Sequence, residues 1–173
     1  MPRMNKRKGF ILYIYFYLHR MLPNAYLTER QLEIWSLRLQ GTSKAEIGRM
    51  LGITRQAVYD AENVMLEKVE LALTHTAQSN MIEPQYVDAT RGILLGFSPQ
   101  TQQRVIITFS SRNGVQTWHY QQPNCSLCKL VSSCRKRLNM EAEERGVELT
   151  DAEKKLPPSK MAQRIFESLI PGL

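Results

Sequence analysis

Outside a ten-residue window this chain has no cysteine. All three thiols, Cys125, Cys128 and Cys134, fall in "NCSLCKLVSSC". An odd count argues against a secreted disulfide framework, and a tight cluster in a reducing cytoplasm reads as a metal site or a redox pair. A long hydrophobic run is missing too. The longest stretch of apolar and tyrosyl residues is Phe10–Leu18, too short for a membrane helix, and no small-residue cleavage site follows it. No membrane partner is therefore expected. Paired carboxylates, a Ser/His/Asp set and a phosphate-binding loop are absent at any convincing spacing, so the chain is not read as an enzyme.

What is present begins with charge. The net charge of +7 is concentrated at the start: residues 1–20 carry five basic residues and no acid. Residues 21–80 carry six basic and seven acidic residues, and residues 81–173 carry twelve and nine. Bulk basicity is thus weak evidence about the remainder. The leader, residues 1–20, can be read as a surface anchor, a packing arm or an over-extended start preceding Met21. No function is placed on it.

Residues 21–80 show helix punctuation three times. Thr28 with Gln31 forms a capping box, and the helix that follows runs to Gly41. Ser43 with Glu46 opens a short second helix closed by Gly52, and Thr54 caps a third. Ala45, Ile47, Leu51, Ile53 and Val58 are expected to form the small core between the second and third helices. This is helix-turn-helix grammar. Arg55, Gln56, Tyr59, Asp60 and Asn63 project from the third helix, where Arg and Gln suit bidentate contacts to guanine and adenine edges. With the segment nearly neutral, Thr54, Lys44, Arg49, Arg55 and Arg30 are left to meet the phosphates of double-stranded DNA. The third helix extends to about Gln78. Its stripe of Val58, Ala61, Met65, Val69 and Ala72 packs either on the second half of the chain or, as slightly favoured here, in a homodimer seam.

The stretch "LTERQ…LRLQGTSKAEIGRMLGITRQAVYDAE" resembles the helix-turn-helix of the archaeal Tfx family. More loosely, it is similar to LuxR-type modules and to sigma-factor region 4. The resemblance covers about fifty residues. It implies a recognition helix at residues 55–66, and the region 4 likeness implies docking on RNA polymerase as another role.

Residues 84–173 change period. "RGILLGFS", "RVIITFSS" and "VQTWHY", with an Asn113–Gly114 hairpin signal, predict a three-stranded antiparallel meander at about 91–98, 104–111 and 115–120. A helix from about Val131 to Gly146 and a last amphipathic helix after Pro157–Pro158 follow. The expected fold is α+β: an N-terminal helix-turn-helix bundle with a long third helix, then a small sheet with a cysteine-rich metal site and C-terminal helices.

Thiolates favour Zn2+ or iron–sulfur clusters. His119 precedes Cys125 in H-x5-C-x2-C-x5-C, making it the nearest fourth ligand. The cysteine spacing resembles that of WhiB-like regulators and of some base-excision glycosylases, which implies a [4Fe-4S] cluster. Those families supply a fourth cysteine that this chain lacks. A zinc knuckle carries glycine after C-x2-C, and Lys129 stands here, so the cluster is favoured over Zn2+. The sequence thus reads as a cytoplasmic DNA-binding transcriptional regulator with a structural or redox-sensing metal site. The alternative is a nucleic-acid-processing enzyme with a structural cluster.

Overall fold

The computed structural model describes residues 26–120, 124–170 and 172–173; the leader readings lie outside them. The elements run α1 (Glu29–Leu39), α2 (Lys44–Leu51), α3 (Arg55–Ser79), β1 (Glu83–Asp88), β2 (Ile93–Ser98), β3 (Gln103–Ser110), β4 (Gly114–His119), α4 (Val131–Glu144) and α5 (Pro158–Glu167). Short 3-10 turns lie at Cys125–Leu127 and Glu153–Lys155. No helix among the described residues is long and apolar enough to cross a membrane.

Local capping sets the first three helices. Thr28 Oγ1 accepts from Gln31 N at 3.3 Å while Gln31 Oε1 accepts from Thr28 N at 3.1 Å. Ser43 and Thr54 each accept from the amide three residues on. Each such cap contributes about 1 kcal/mol. Gly52 takes φ 66° between α2 and α3, a left-handed conformation that favours glycine. Ile47 and Val58 are fully buried and Leu51 and Ile53 partly so, whereas Ala45, expected in that core, is exposed.

The fold is α+β, but the sheet has four strands rather than the three the sequence predicts, in the antiparallel order β1-β2-β3-β4. The extra strand, β1, carries the sequence EPQYVD, is mostly exposed, and shifts register between Pro84 and Tyr86. A polar run with proline gives little strand signal, and an outer strand is where proline is tolerated. The expected hairpin is present, with Ser110 paired to Gly114.

Both faces of the sheet are covered. Leu94, Val105, Ile107 and Phe109 pack under α1 and α3, with Trp35, Met65, Val69 and Leu73. Ile93, Leu95 and Ile106 pack on the other side against Leu138 of α4 and Met161, Ile165 and Phe166 of α5. Strand alternation therefore feeds two cores from one sheet. Each fully buried aliphatic or phenylalanine side chain contributes roughly 1.5–3 kcal/mol. The first core joins residues on both sides of the 80–84 junction. It also occupies the α3 stripe: Val58, Met65, Val69 and Ala72 are buried within the chain itself. The homodimer seam drawn from that stripe is thereby corrected, because the chain's own helices and sheet cover it.

A glycine the sequence reading passed over holds the α2–α3 turn closed. A Cβ on Gly48 would lie 2.7 Å from the Ile53 carbonyl oxygen and 3.4 Å from Arg55 N. Alanine in place of a helical glycine ordinarily gains up to about 1 kcal/mol. Here the backbone contact reverses the sign, and Gly48→Ala is expected to lower stability by about 1–3 kcal/mol in urea titration. A stabilised variant would show that the turn yields freely.

Candidate recognition helix and cysteine centre

The first two turns of α3 stand clear of the molecule. Arg55, Gln56, Tyr59, Asp60 and Asn63 are all exposed, as are Thr54 and Arg49, while Val58 and Glu62 between them point inward and are buried. Gln56 Nε2 donates to Asp60 Oδ1 at 2.9 Å, so these two amide and carboxylate groups are preset against each other. Arg49 and Arg55 line the same concavity at the turn, with Gly52 and Thr54 between them. Neither has a carboxylate partner among the described residues.

Lys44 and Arg30 are placed differently. Lys44 Nζ lies 2.8 Å from Glu62 Oε2 and 4.9 Å from the centre of the Tyr59 ring. Arg38 Nε donates to the other Glu62 oxygen at 2.7 Å. Glu62 is thus a buried counter-charge under two cations, and Lys44 is engaged by it rather than held free. Arg30 pairs with Glu33 at 3.1 Å on the surface, where such a pair contributes little. No sequence signal announces the Glu62 contacts, because Arg38 lies on another helix, 24 positions away.

The three cysteines meet at one cavity of about 240 Å³, bordered also by Gln116, Trp118, His119, Arg137 and Ser159. The 3-10 turn at Cys125–Leu127 bends the loop so that Cys128 N donates to Cys125 O and Val131 N to Cys128 O, each at 3.3 Å. Cys134 follows in the first turn of α4. Leu130 N donates to Cys128 Sγ at 3.4 Å, and Cys125 Sγ lies 3.7 Å from Ser159 Oγ. Burial pushes the Cys134 thiol up, the neighbouring Cys128 and Cys125 push it further, and Arg137 pulls it down. Mutual repulsion of this kind is what a bound cation would relieve.

His119 is the residue the pleat treats differently. It borders the cavity at the end of β4, but its partner across the strands is Val105, which packs under α3. Trp118 pairs with Ile106 and packs on the α4–α5 side. Alternation thus puts His119 at the register position of Val105, while at the strand's end it still borders the cysteine cavity. Among the described residues, no three His, Cys, Asp or Glu side chains stand so as to hold a metal ion. Trp118 and Gln116, which do share the cysteine side, were readable from the "QTWHY" alternation once Ile106 was given a face.

Comparison with protein-family models, with curated proteins and with solved structures returned no match for this chain.

The raised Cys134 thiol has a measurable consequence. Its alkylation by iodoacetamide is expected to go on rising about tenfold per pH unit to above pH 9, followed by peptide mass mapping. Arg137→Ala removes the opposing charge and shifts that profile upward. A rate already level below pH 9 would contradict the crowding of the three thiols.

Proposed function

We propose that the protein is a DNA-binding transcriptional regulator. In this reading α2, the turn and α3 form a Tfx-like helix-turn-helix, and the cysteines hold a metal centre. One observation carries it. The first two turns of α3 present a polar row, Arg55, Gln56, Tyr59, Asp60 and Asn63, from a helix whose opposite face is locked into the core. A rigid helix with an exposed N-terminal half suits entry into a major groove. Arg49 and Arg55 supply the charge for phosphate at its rim, and Lys44 supplies less because Glu62 engages it.

For the centre, the donor chemistry fits a thiolate-held group. A single Zn2+ requires its sulfurs within about 2.3 Å of one point. The three thiols border one cavity without standing so as to hold a single ion, and the reading of a [4Fe-4S] cluster held by Cys125, Cys128 and Cys134 rests on their C-x2-C-x5-C spacing. The fourth position falls to His119, which borders the same cavity at the end of β4, or to a ligand from outside these side chains. When bound, the cluster supplies electron-transfer or structural chemistry.

Two measurements test the reading. Selection from a randomised duplex pool should yield a preferred sequence, with Arg55→Ala and Gln56→Ala each weakening binding by about 1–3 kcal/mol. Arg49→Ala should weaken all sequences alike and lower the salt slope by about one. Unchanged binding in both recognition-helix variants removes the assignment of α3. Anaerobic purification should give coloured protein containing iron and sulfide. Colourless protein with stoichiometric zinc from both aerobic and anaerobic preparations removes the cluster.

A further inference from the structure

We propose that two copies of this chain associate through the exposed long face of α3, side by side and antiparallel about a two-fold axis. This face is not the stripe already buried in the core. The association needs no ligand at the cysteines and no DNA.

Two large apolar side chains of α3 are left uncovered: Val64 is 47% exposed and Leu71 62%. They are seven residues apart, so at about 100° per residue they stand on one line along the helix. Ala57 and Gln78, also exposed, continue that line in each direction. Val58, Met65, Val69 and Ala72 meanwhile face the core. Asp60, Glu67, Lys68 and His75 flank the line. Among the described residues neither Glu67 nor His75 forms an ion pair, and Lys68 Nζ donates to the neutral side chain of Gln31 at 3.2 Å.

Scattered exposed apolar residues need no partner. The order of the charges is what identifies one here. In an antiparallel pair with Val64 opposite Leu71 of the second copy, the two-fold axis passes between Glu67 and Lys68. Glu67 then faces Lys68 of the second copy, Asp60 faces His75, and Ala57 faces Gln78. Each contact occurs twice, and no like charges meet along the line. A parallel pair sets Glu67 against Glu67 and Lys68 against Lys68, which is repulsive. The face is thus complementary to itself in one direction only, as an isologous interface requires. One helix pair buries less than the roughly 1,200 Å² of a standard interface, so the expected dimer is weak, with a dissociation constant on the order of 10 µM.

One consequence rests on the DNA reading. Gln56, Tyr59 and Asn63 lie about a quarter-turn around α3 from the Val64–Leu71 line. A two-fold axis perpendicular to both helices carries this row to the same side of the pair. Gln56 of each copy stands level with Ser79 of the other, so the two Gln56 positions are about 35 Å apart along the seam. One turn of duplex DNA separates half-sites by about 34–36 Å. The pair is therefore matched to a palindromic site with half-sites one turn apart.

Sedimentation equilibrium of the DNA-free protein from about 1 to 200 µM tests the pair. Wild type should pass from the monomer mass to twice that mass across this range. Leu71→Glu sets a carboxylate against Val64 and should weaken association about tenfold or more, with the urea midpoint unchanged. The charge order gives a test that misfolding cannot imitate. Glu67→Lys alone and Lys68→Glu alone should each self-associate less than wild type, whereas the two variants mixed should pair with each other more tightly than either does with itself. Val64→Cys mixed with Leu71→Cys should give an inter-chain disulfide on treatment with diamide, located by peptide mass mapping. Val64→Cys alone should not, because its two copies are offset by about 10 Å along the seam. A monomer at every concentration overturns the proposal. So does a dimer that Leu71→Glu leaves intact, or a mixture no tighter than its components. A dimer that binds no duplex supports the pairing and removes the DNA reading alone. Duplex selection by a protein that stays monomeric removes the pairing alone.

Discussion

Three layers of this molecule meet on two buried carboxylates, Glu141 and Glu144 at the C-terminal end of α4. Glu141 and Arg145 have side chains 0% and 1% exposed. Taking charges out of water costs several kcal/mol per ion, and only a complete set of partners offsets that cost. The set is nearly closed: Arg145 and Asn113 on Glu141, and Trp35, Ser110 and Ser111 on Glu144. Burial still dominates at Glu141 and holds its carboxyl above the usual range, with Arg145 and Asn113 pulling it back and Glu144 adding to the rise. Such a cluster is a poor source of net stability but a stringent one of geometry. It fixes one relative placement of α1, the β3–β4 hairpin and α4. Trp35 then stands edge-on to Phe109, with ring centres 5.2 Å apart, inside the core that α1 shares with α3.

That shared core also explains the length of α3. The exposed polar row occupies only its first two turns, yet the helix has 25 residues. The remainder is the lid of the sheet: Val69, Leu73 and Ala77 cover Leu94, Val105 and Ile107. One helix thus carries both an exposed polar row on its first two turns and a structural wall on the rest. Its orientation is fixed by the sheet rather than by α1 and α2 alone.

How far the sequence disclosed all this follows the range of each interaction. The caps at Thr28, Ser43 and Thr54 were legible because capping chemistry acts within three residues. The end of α4 near Gly146 and the turn before α5 were legible for the same reason. The stripe on α3 was visible as a buried face, but periodicity cannot say what buries it, and the partner was the chain's own second half. His119 stands close to the cysteines in sequence and borders their cavity, but its register opposite Val105 is something only strand pairing decides. The Glu62 and Glu144 contacts were invisible for a plainer reason: their partners lie 24 and 109 positions away.

β1 was the strand that reading missed, for want of β-branched residues and because of Pro84. The same poverty has a use. A four-stranded open sheet exposes the backbone of its outer strands, and an unpaired row of amides and carbonyls invites strand addition from another chain. Pro84 offers no amide, and the shift at Pro84–Tyr86 bends the row out of register. The weakest strand signal in the chain is therefore what defends this border of the sheet against self-association through cross-β pairing.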